Sequence, residues 1–493
     1  MSNRRRALWS AAALGLVLSL GAQAAVAESL LDAVALAYET NPDLQQQRAQ
    51  QRVIDEGYVQ ARSGFRPDAS ASASGTWFDG ASGFGDTTSW SSSVGLSLSQ
   101  PIWTGGRVAT AVDAARADIL QGRENLRTVE SQVMLSVVQA YVDVRRDLDA
   151  LAINRENVRV LQRQLEEASA RFDVGEITRT DVAQAEARLA AAQARLSTAE
   201  AQLSVSRAAY ASVVGQAPGE LAPEPALPGL PASFDEAIDI ANQDAPNVRA
   251  AQYAQQATRA RVAAARSEYR PSVSVSASYG AAVSPGGGSI AERDEARATA
   301  SLTVPLFTGG VTGSRVRQAI ERDNIAIIGV NGARRDALQA VSQAYAQVLA
   351  TAASLKANEE QVRAASIAAE GVRQEAQVGL RTTLDVLNAE QELRDAQLAL
   401  INSRHDSYVA NARLLQAMGR LEAPYLVQSV KVYDPKANYD RVKGKGGVPW
   451  EYAVEALDQV AKPSGEHAGR AADAPIDTQL KAKAPTKPLP KKP

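Results

Sequence analysis

The chain has 493 residues, a formal charge of −2, no cysteine, two histidines and only 5% aromatic side chains. The missing thiols exclude disulfides, cysteine nucleophiles and thiolate metal sites, and His405 and His467 alone give imidazole catalysis or a multi-histidine metal site almost nothing to build on. A mildly acidic chain argues against a nucleic-acid partner, and long Ala-, Gln- and Arg-rich stretches suit thin helical packing better than one thick core.

Residues 1–27 read as a signal peptide. Arg4, Arg5 and Arg6 form a positive start, Ala7 to Gly21 is apolar apart from two serines, and Ala25-Val26-Ala27 is a small-residue cleavage site. The mature chain is expected to begin at Glu28, more acidic by the loss of three arginines. The apolar stretch is shorter than the ~20 residues a membrane helix needs. No later window is apolar enough to span, so any membrane crossing must be made by strands.

From residue 28 onward the sequence is written twice, at a constant offset of 204 residues. Pro42 matches Pro246, Arg66-Pro67 matches Arg270-Pro271, and Thr104-Gly105-Gly106 matches Thr308-Gly309-Gly310. Gln139-Ala140-Tyr141 matches Gln343-Ala344-Tyr345, and Gly175, Asp181, Val182 and Glu186 match Gly379, Asp385, Val386 and Glu390. A period this long marks a duplicated domain rather than a solenoid.

The first copy spans 28–217. It starts with a helix from about Ser29 to Arg62, followed by an Ala/Ser-rich stretch, about 67–101, that reads as two strands. There Val94, Leu96 and Leu98 alternate with Gly95, Ser97 and Ser99, the period-two pattern of a barrel with an apolar outside and a wet lumen. Gly80 to Asp86 reads as the loop between them. A proline-free helix of about 107–172 follows, ~100 Å long at 1.5 Å per residue. A return helix, about 179–214, carries Val182, Ala185, Leu189, Ala192, Leu196, Ala199 and Leu203 at coiled-coil spacing.

A Pro-rich linker, 218–232, leads to the second copy, 233–420, with strands about 271–305, a loop at Ser284 to Ala291, a long helix about 311–376 and a return helix about 382–418. The glycines 286–288 are a loop tip, since no strand leads through them into a helix as a phosphate cradle requires. Residues 421–493 form a C-terminal extension, disordered from about Ser464 in a run rich in Ala, Lys and Pro.

These lengths fix a geometry. Each long helix starts at the strands and turns back ~100 Å away. The return helix is about half as long, and so is the first helix. Stacked end to end they match one long helix, so each copy gives two helical columns and two strands. Four strands per chain cannot close a barrel, because outer-membrane barrels need eight or more. The chain must therefore oligomerise; three chains would supply twelve strands over twelve columns.

The paired Arg-Pro and Thr-Gly-Gly motifs recur with paired tips, Arg171-Phe-Asp-Val-Gly175-Glu-Ile-Thr-Arg-Thr-Asp181-Val182 and Gln377-Val-Gly379-Leu-Arg381-Thr-Thr-Leu-Asp385-Val386-Leu387. With these residues, from about 28 to 420, the chain resembles the TolC family of outer-membrane channel-tunnel proteins. The resemblance implies a mixed fold, all-α plus a membrane β-barrel, in a homotrimer with two pseudo-symmetric repeats per chain. It implies outer-membrane lipid around the barrel, a periplasmic adaptor at the tips and an inner-membrane transporter, of ABC type, supplying energy. It implies no cofactor. Tyr433-Asp-Pro-Lys-Ala-Asn-Tyr439 is similar to the ending of members that serve type I protein secretion.

The tips hold the candidate site. Thr178 with Asp181, and Thr382 with Asp385, have the spacing of helix caps, and Gly175 and Gly379 can take the left-handed turn that ends the preceding helix. Together these four tip positions, Gly175, Thr178, Gly379 and Thr382, shape the surface for adaptor docking that the resemblance implies. Arg381 is a cation at the wrong end of a helix dipole and needs an acidic partner. The resemblance implies that Asp181 and Arg381 pair between neighbouring tips and hold the entrance closed. It places the pore constriction at Asp385 and Asn388, where Asn388 replaces a second acid, and an aromatic gate position at Ala376. Type I protein secretion leads, multidrug efflux is the alternative, and a trimeric coiled-coil adhesin is more remote because it leaves the alternating strands unexplained.

Overall fold

The computed structural model describes residues 27–82, 85–286, 289–427, 431–460, 462–467 and 480–481. All but the last residue of the expected signal peptide, nearly all of the lysine-rich tail and the loop-tip residues 83–84 and 287–288 lie outside the described residues. In chain order the elements are α1 (Leu30–Thr40), α2 (Pro42–Ser63), β1 (Asp68–Ser82), β2 (Gly85–Trp103), α3 (Arg107–Asp173), α4 (Arg179–Val214), α5 (Phe234–Asp244), α6 (Pro246–Ser267), β3 (Ser272–Gly286), β4 (Ser289–Thr303), α7 (Val311–Gln377), α8 (Thr383–Ala417), α9 (Ala423–Leu426), α10 (Ala437–Val442) and α11 (Glu451–Val460).

The first helix differs from expectation. Rather than one helix from Ser29 to Arg62, the chain forms α1 and α2 with a break at Asn41-Pro42. Pro42 occupies the first position of α2, where its missing N–H costs nothing, and Asn41 caps that helix by accepting from the Asp43 and Leu44 N–H groups. Ala245-Pro246 repeats the break between α5 and α6. The expected loops are also shorter. Pairing in the two hairpins continues to Ser82↔Gly85 and Gly286↔Ser289. The C-terminal extension is folded well beyond the second copy, with α10 and α11 packed on α2, α3 and β2.

The four strands form one antiparallel sheet in the order β1-β2-β3-β4. The columns follow the same order. α2 and α4 share α3 as their neighbour, while α6 and α8 lie between α3 and α7. Each pair of half-length helices therefore matches one 67-residue helix, α3 or α7, ~100 Å long. The main core is a belt midway along the tunnel, where α1, α5, the middle of α3 and the ends of α4 and α8 meet. Tyr141 is fully buried there and donates to the carbonyls of Ala222 and Glu28 at 2.6 and 3.0 Å, which ties the linker to the start of the repeat. A smaller cluster near the tips joins Leu161, Leu189 and Leu387, so helices from both copies pack together there.

Paired motifs explain the junction between sheet and tunnel. Gly105 and Gly106 take φ of 67° and 87°, and a Cβ at Gly105 would lie 2.7 Å from the Cβ of Arg270. Thr-Gly-Gly of the first copy thus packs against Arg-Pro of the second, and this lets β2 pair with β3. Gly309 and Gly310 have the same left-handed backbone, with nothing within 4 Å of the position their Cβ would take.

Candidate functional site

Each tip is a helix stop followed directly by a helix start. At the first, Gly175 has φ 78°, its N–H meets the Phe172 carbonyl at 2.9 Å, and the Glu176 N–H meets the Arg171 carbonyl at 2.9 Å. Thr178 then caps α4. Its hydroxyl accepts from the Asp181 N–H and donates to Asp181 Oδ2 at 2.8 Å, and Oδ2 also accepts the Thr178 N–H at 2.9 Å. The second tip repeats this with Gly379 at φ 80°, Thr382 and Asp385.

These bonds set the tip charges. The Thr178 hydroxyl and N–H hold Asp181 below the usual carboxylate range, and the Thr382 N–H and hydroxyl do the same for Asp385. Arg381 finds its acidic partner within its own tip, where its Nε donates to Glu375 Oε2 at 2.7 Å and this bond raises the guanidinium pKa. Within one chain, therefore, Arg381 meets Glu375 and Asp181 meets Thr178. Asn388 accepts from Arg188 at 3.1 Å, and Arg188 also reaches Gln391, so α4 and α8 are cross-linked close to the expected constriction. Arg373 pairs with the buried Glu390. Ala376 lines a small cavity of about 70 Å³ beside Arg171 and Arg373. Sequence reading missed Arg188, Arg373 and Glu375 because nothing local marks which face of a uniformly polar helix meets its neighbour.

At the opposite end, the sheet separates two environments. One face carries Ser70 and Ser97, 2.7 Å apart, and Ser74 and Ser93, 2.9 Å apart. Arg293, Glu295 and Arg297 share that face through the register of β3 and β4, a charged element absent from the hydroxyl pattern expected. The other face carries Ala69, Ala71, Ala73, Val94, Leu96 and Leu98, all exposed, with a Trp77–Trp90 cross-strand pair near the hairpin end. An apolar outward face with aromatics at its margin is the signature of a membrane barrel. No helix among the described residues is long and apolar enough to cross a membrane.

The outer membrane efflux protein family matches residues 33–216 and 237–420, the two copies of the repeat. The chain belongs to this family. It is 36% identical over 428 residues to the outer membrane efflux protein BepC of Brucella suis, covering 86% of this chain and 93% of that protein. To the outer membrane protein TolC of Vibrio cholerae it is 29% identical over 422 residues, covering 84% and 95%. To the alkaline protease secretion protein AprF of Pseudomonas aeruginosa it is 28% identical over 335 residues, covering 66% and 69%. The fold is shared with the outer membrane channel CmeC of Campylobacter jejuni, at a TM-score of 0.69 and 17% identity over 84% of this chain and 89% of that one. As a family member the chain is an efflux or secretion channel of the outer membrane with a long periplasmic tunnel, a conduit rather than an enzyme.

Within this efflux-family frame the C-terminal extension adds a feature that sequence reading missed. Asp458, fully buried, caps the start of α3. Its Oδ1 accepts from the Thr104 N–H, the Thr104 hydroxyl and the Gly106 N–H at 2.8–2.9 Å, and its Oδ2 accepts from the Ala109 N–H at 3.0 Å. Glu451 pairs with Arg62 and Arg66 at 2.9 and 3.0 Å, so the Arg-Pro motif of the first copy is held by the extension. Tyr439 stacks edge-on against Tyr58, and Asn438 donates to Asp55, which seats the Tyr433–Tyr439 segment on α2.

Proposed function

We propose that three chains close into one duct and that it serves as the outer-membrane exit of a tripartite export machine, fed by a periplasmic adaptor docked on the tips and an ABC-type inner-membrane transporter. The observation that carries this is the unfilled half of the repeat. Thr104-Gly105-Gly106 packs on Arg270-Pro271 of its own chain, whereas Gly309 and Gly310 face open space among the described residues and Arg66-Pro67 leads into β1, a free edge of the sheet. The symmetry that joins the first copy to the second, applied once more, joins β4 of one chain to β1 of the next. It also covers the exposed Ile325 and Ile328 on the free side of α7.

The same symmetry gives the register. Leu98↔Ala277 within the chain becomes Leu302↔Ala73 between chains. The chain has no native cysteine. Ala73→Cys combined with Leu302→Cys should oxidise to a covalent ladder ending at three chains. A protein that stays monomeric with both cysteines reduced would overturn the assembly.

Type I protein secretion is the use we favour, supported by likeness to AprF, named for alkaline protease secretion, and by the folded Tyr433–Tyr439 segment. Efflux is the second reading, supported by likeness to BepC, named for efflux. Deleting the gene should remove a large protein from the culture medium. Unchanged secreted protein together with increased drug sensitivity would favour efflux.

A further inference from the structure

Helix α11 is inside-out. Its charged side chains face the protein: Glu451 pairs with Arg62 and Arg66, Glu455 with Arg62 at 3.0 Å, and Asp458 caps α3. Its outward half carries Tyr452, Ala453, Ala456, Leu457 and Val460 with one amide, Gln459, all exposed, with Tyr452 at 75%, Leu457 at 53% and Val460 at 88%, while Val454 is the apolar residue turned inward. A surface helix in water has the opposite polarity. Contiguous apolar exposure of this kind marks a contact surface.

We propose that α11 seats in the periplasmic leaflet of the outer membrane, as an interfacial foot beside the barrel. Continuity with the lipid-facing surface carries the assignment. Trp450, immediately before α11, donates its indole N–H to Gln100 Oε1 at 3.1 Å. Gln100 stands on the same face of β2 as Val94, Leu96 and Leu98, one step below Leu98. The extension therefore lies outside the duct, directly under the apolar band. Its height fits as well. Gln100 is ten residues along β2 from Trp90. At ~3.4 Å per residue and a strand tilt of ~40°, that places Trp450 about 25 Å below the outer tryptophan pair, the height of a barrel's apolar band. Trp450 is half-exposed with its N–H bound, the posture of an aromatic at a membrane–water boundary. A second copy of the chain is the poorer occupant. Trp450 and Asp458 seat α11 over β2 and the start of α3, with only Glu451 and Glu455 reaching back to Arg62 and Arg66 at the edge column, whereas neighbouring chains add at β1 and β4.

The cysteine-free chain allows a direct test in the full-length assembled protein. Leu457→Cys and Val460→Cys would each carry an environment-sensitive fluorophore, with Leu96→Cys as a lipid-facing reference and Glu176→Cys at the distant tip. The protein is placed in phosphatidylcholine vesicles with or without brominated acyl chains. Emission at 457 and 460 should shift to the blue and fall with brominated lipid, as at 96, while 176 is unaffected. Loss of emission at 96 but none at 457 and 460 overturns the proposal. If those two labels are also shielded from aqueous iodide, the cover is protein, and the proposal is equally overturned.

Discussion

At the residue scale, the tips combine two demands on the same carboxylates. Asp181 and Asp385 each use Oδ2 to complete a helix cap. The proposed gate asks Asp181 also to meet Arg381 of a neighbouring tip, while Arg381 is already bonded to Glu375. Arg381→Glu places like charge beside Glu375 and should raise single-channel conductance without dissociating the trimer. Adding Asp181→Lys should bring conductance part of the way back, because it reverses the pair. If the second change restores nothing, Arg381 acts only within its own tip and Asp181 only as a cap.

A second residue-scale prediction concerns pH. Burial, with the nearby Glu422 carboxylate, pushes Glu130 up to about 7, although the Ala423 N–H, Arg48 and Arg127 favour its charged form. A carboxyl raised in the folded state binds its proton more tightly there than in the unfolded chain. Its contribution is therefore fully present below about 4.5 and lost as pH rises through about 7. Glu130→Gln keeps an oxygen for the Ala423 N–H and cannot ionise. Its stability relative to wild type should rise between pH 5 and pH 8, by on the order of 2–3 kcal/mol. Thermal melting at the two pH values reads this, and a difference that does not change with pH would mean that Glu130 is ionised throughout.

At the element scale, the repeat made most of the architecture legible. The offset of 204 predicts equal long helices, and both span 67 residues with matching ends. It also predicts equal tips, because the capping chemistry at Thr178 and Thr382 is local. The break at Pro42 was legible in principle, since proline suits only the first turn of a helix. Contacts between distant segments were not. Asp458 and Thr104 are more than 350 residues apart, and an acid in a mixed helix gives no sign that it will cap another. The tilt of α11 toward inward charge defeats the hydropathy rule that served elsewhere. Asp458→Ala would leave four donors at the start of α3 without their acceptor, buried against α11. A destabilisation on the order of 3 kcal/mol is expected. It should appear as a lower melting temperature and faster exchange of the Gly106 and Ala109 amides, and unchanged exchange there would show that the cap is dispensable.

At the scale of the whole molecule, a single chain is an incomplete object. Its sheet has two open edges, its last helix column exposes Ile325 and Ile328, and Gly309 and Gly310 of its second Thr-Gly-Gly turn meet nothing among the described residues. In the proposed assembly, copies of the same chain supply the missing contacts by repeating a junction that already exists inside it. That proposed duct is a wall one helix thick around a wet lumen, continuous with a barrel whose inner face would be the hydroxyl-rich, charged face of this sheet. A passive duct needs no cofactor, no nucleophile and no energy source of its own. It needs a closed wall, an apolar belt at one end and a constriction at the other. Recording from the purified protein in a planar lipid bilayer tests this most directly. The account predicts uniform single-channel steps, small in the wild type and larger in Arg381→Glu; a folded, membrane-inserted trimer that gives no steps in either form would contradict it.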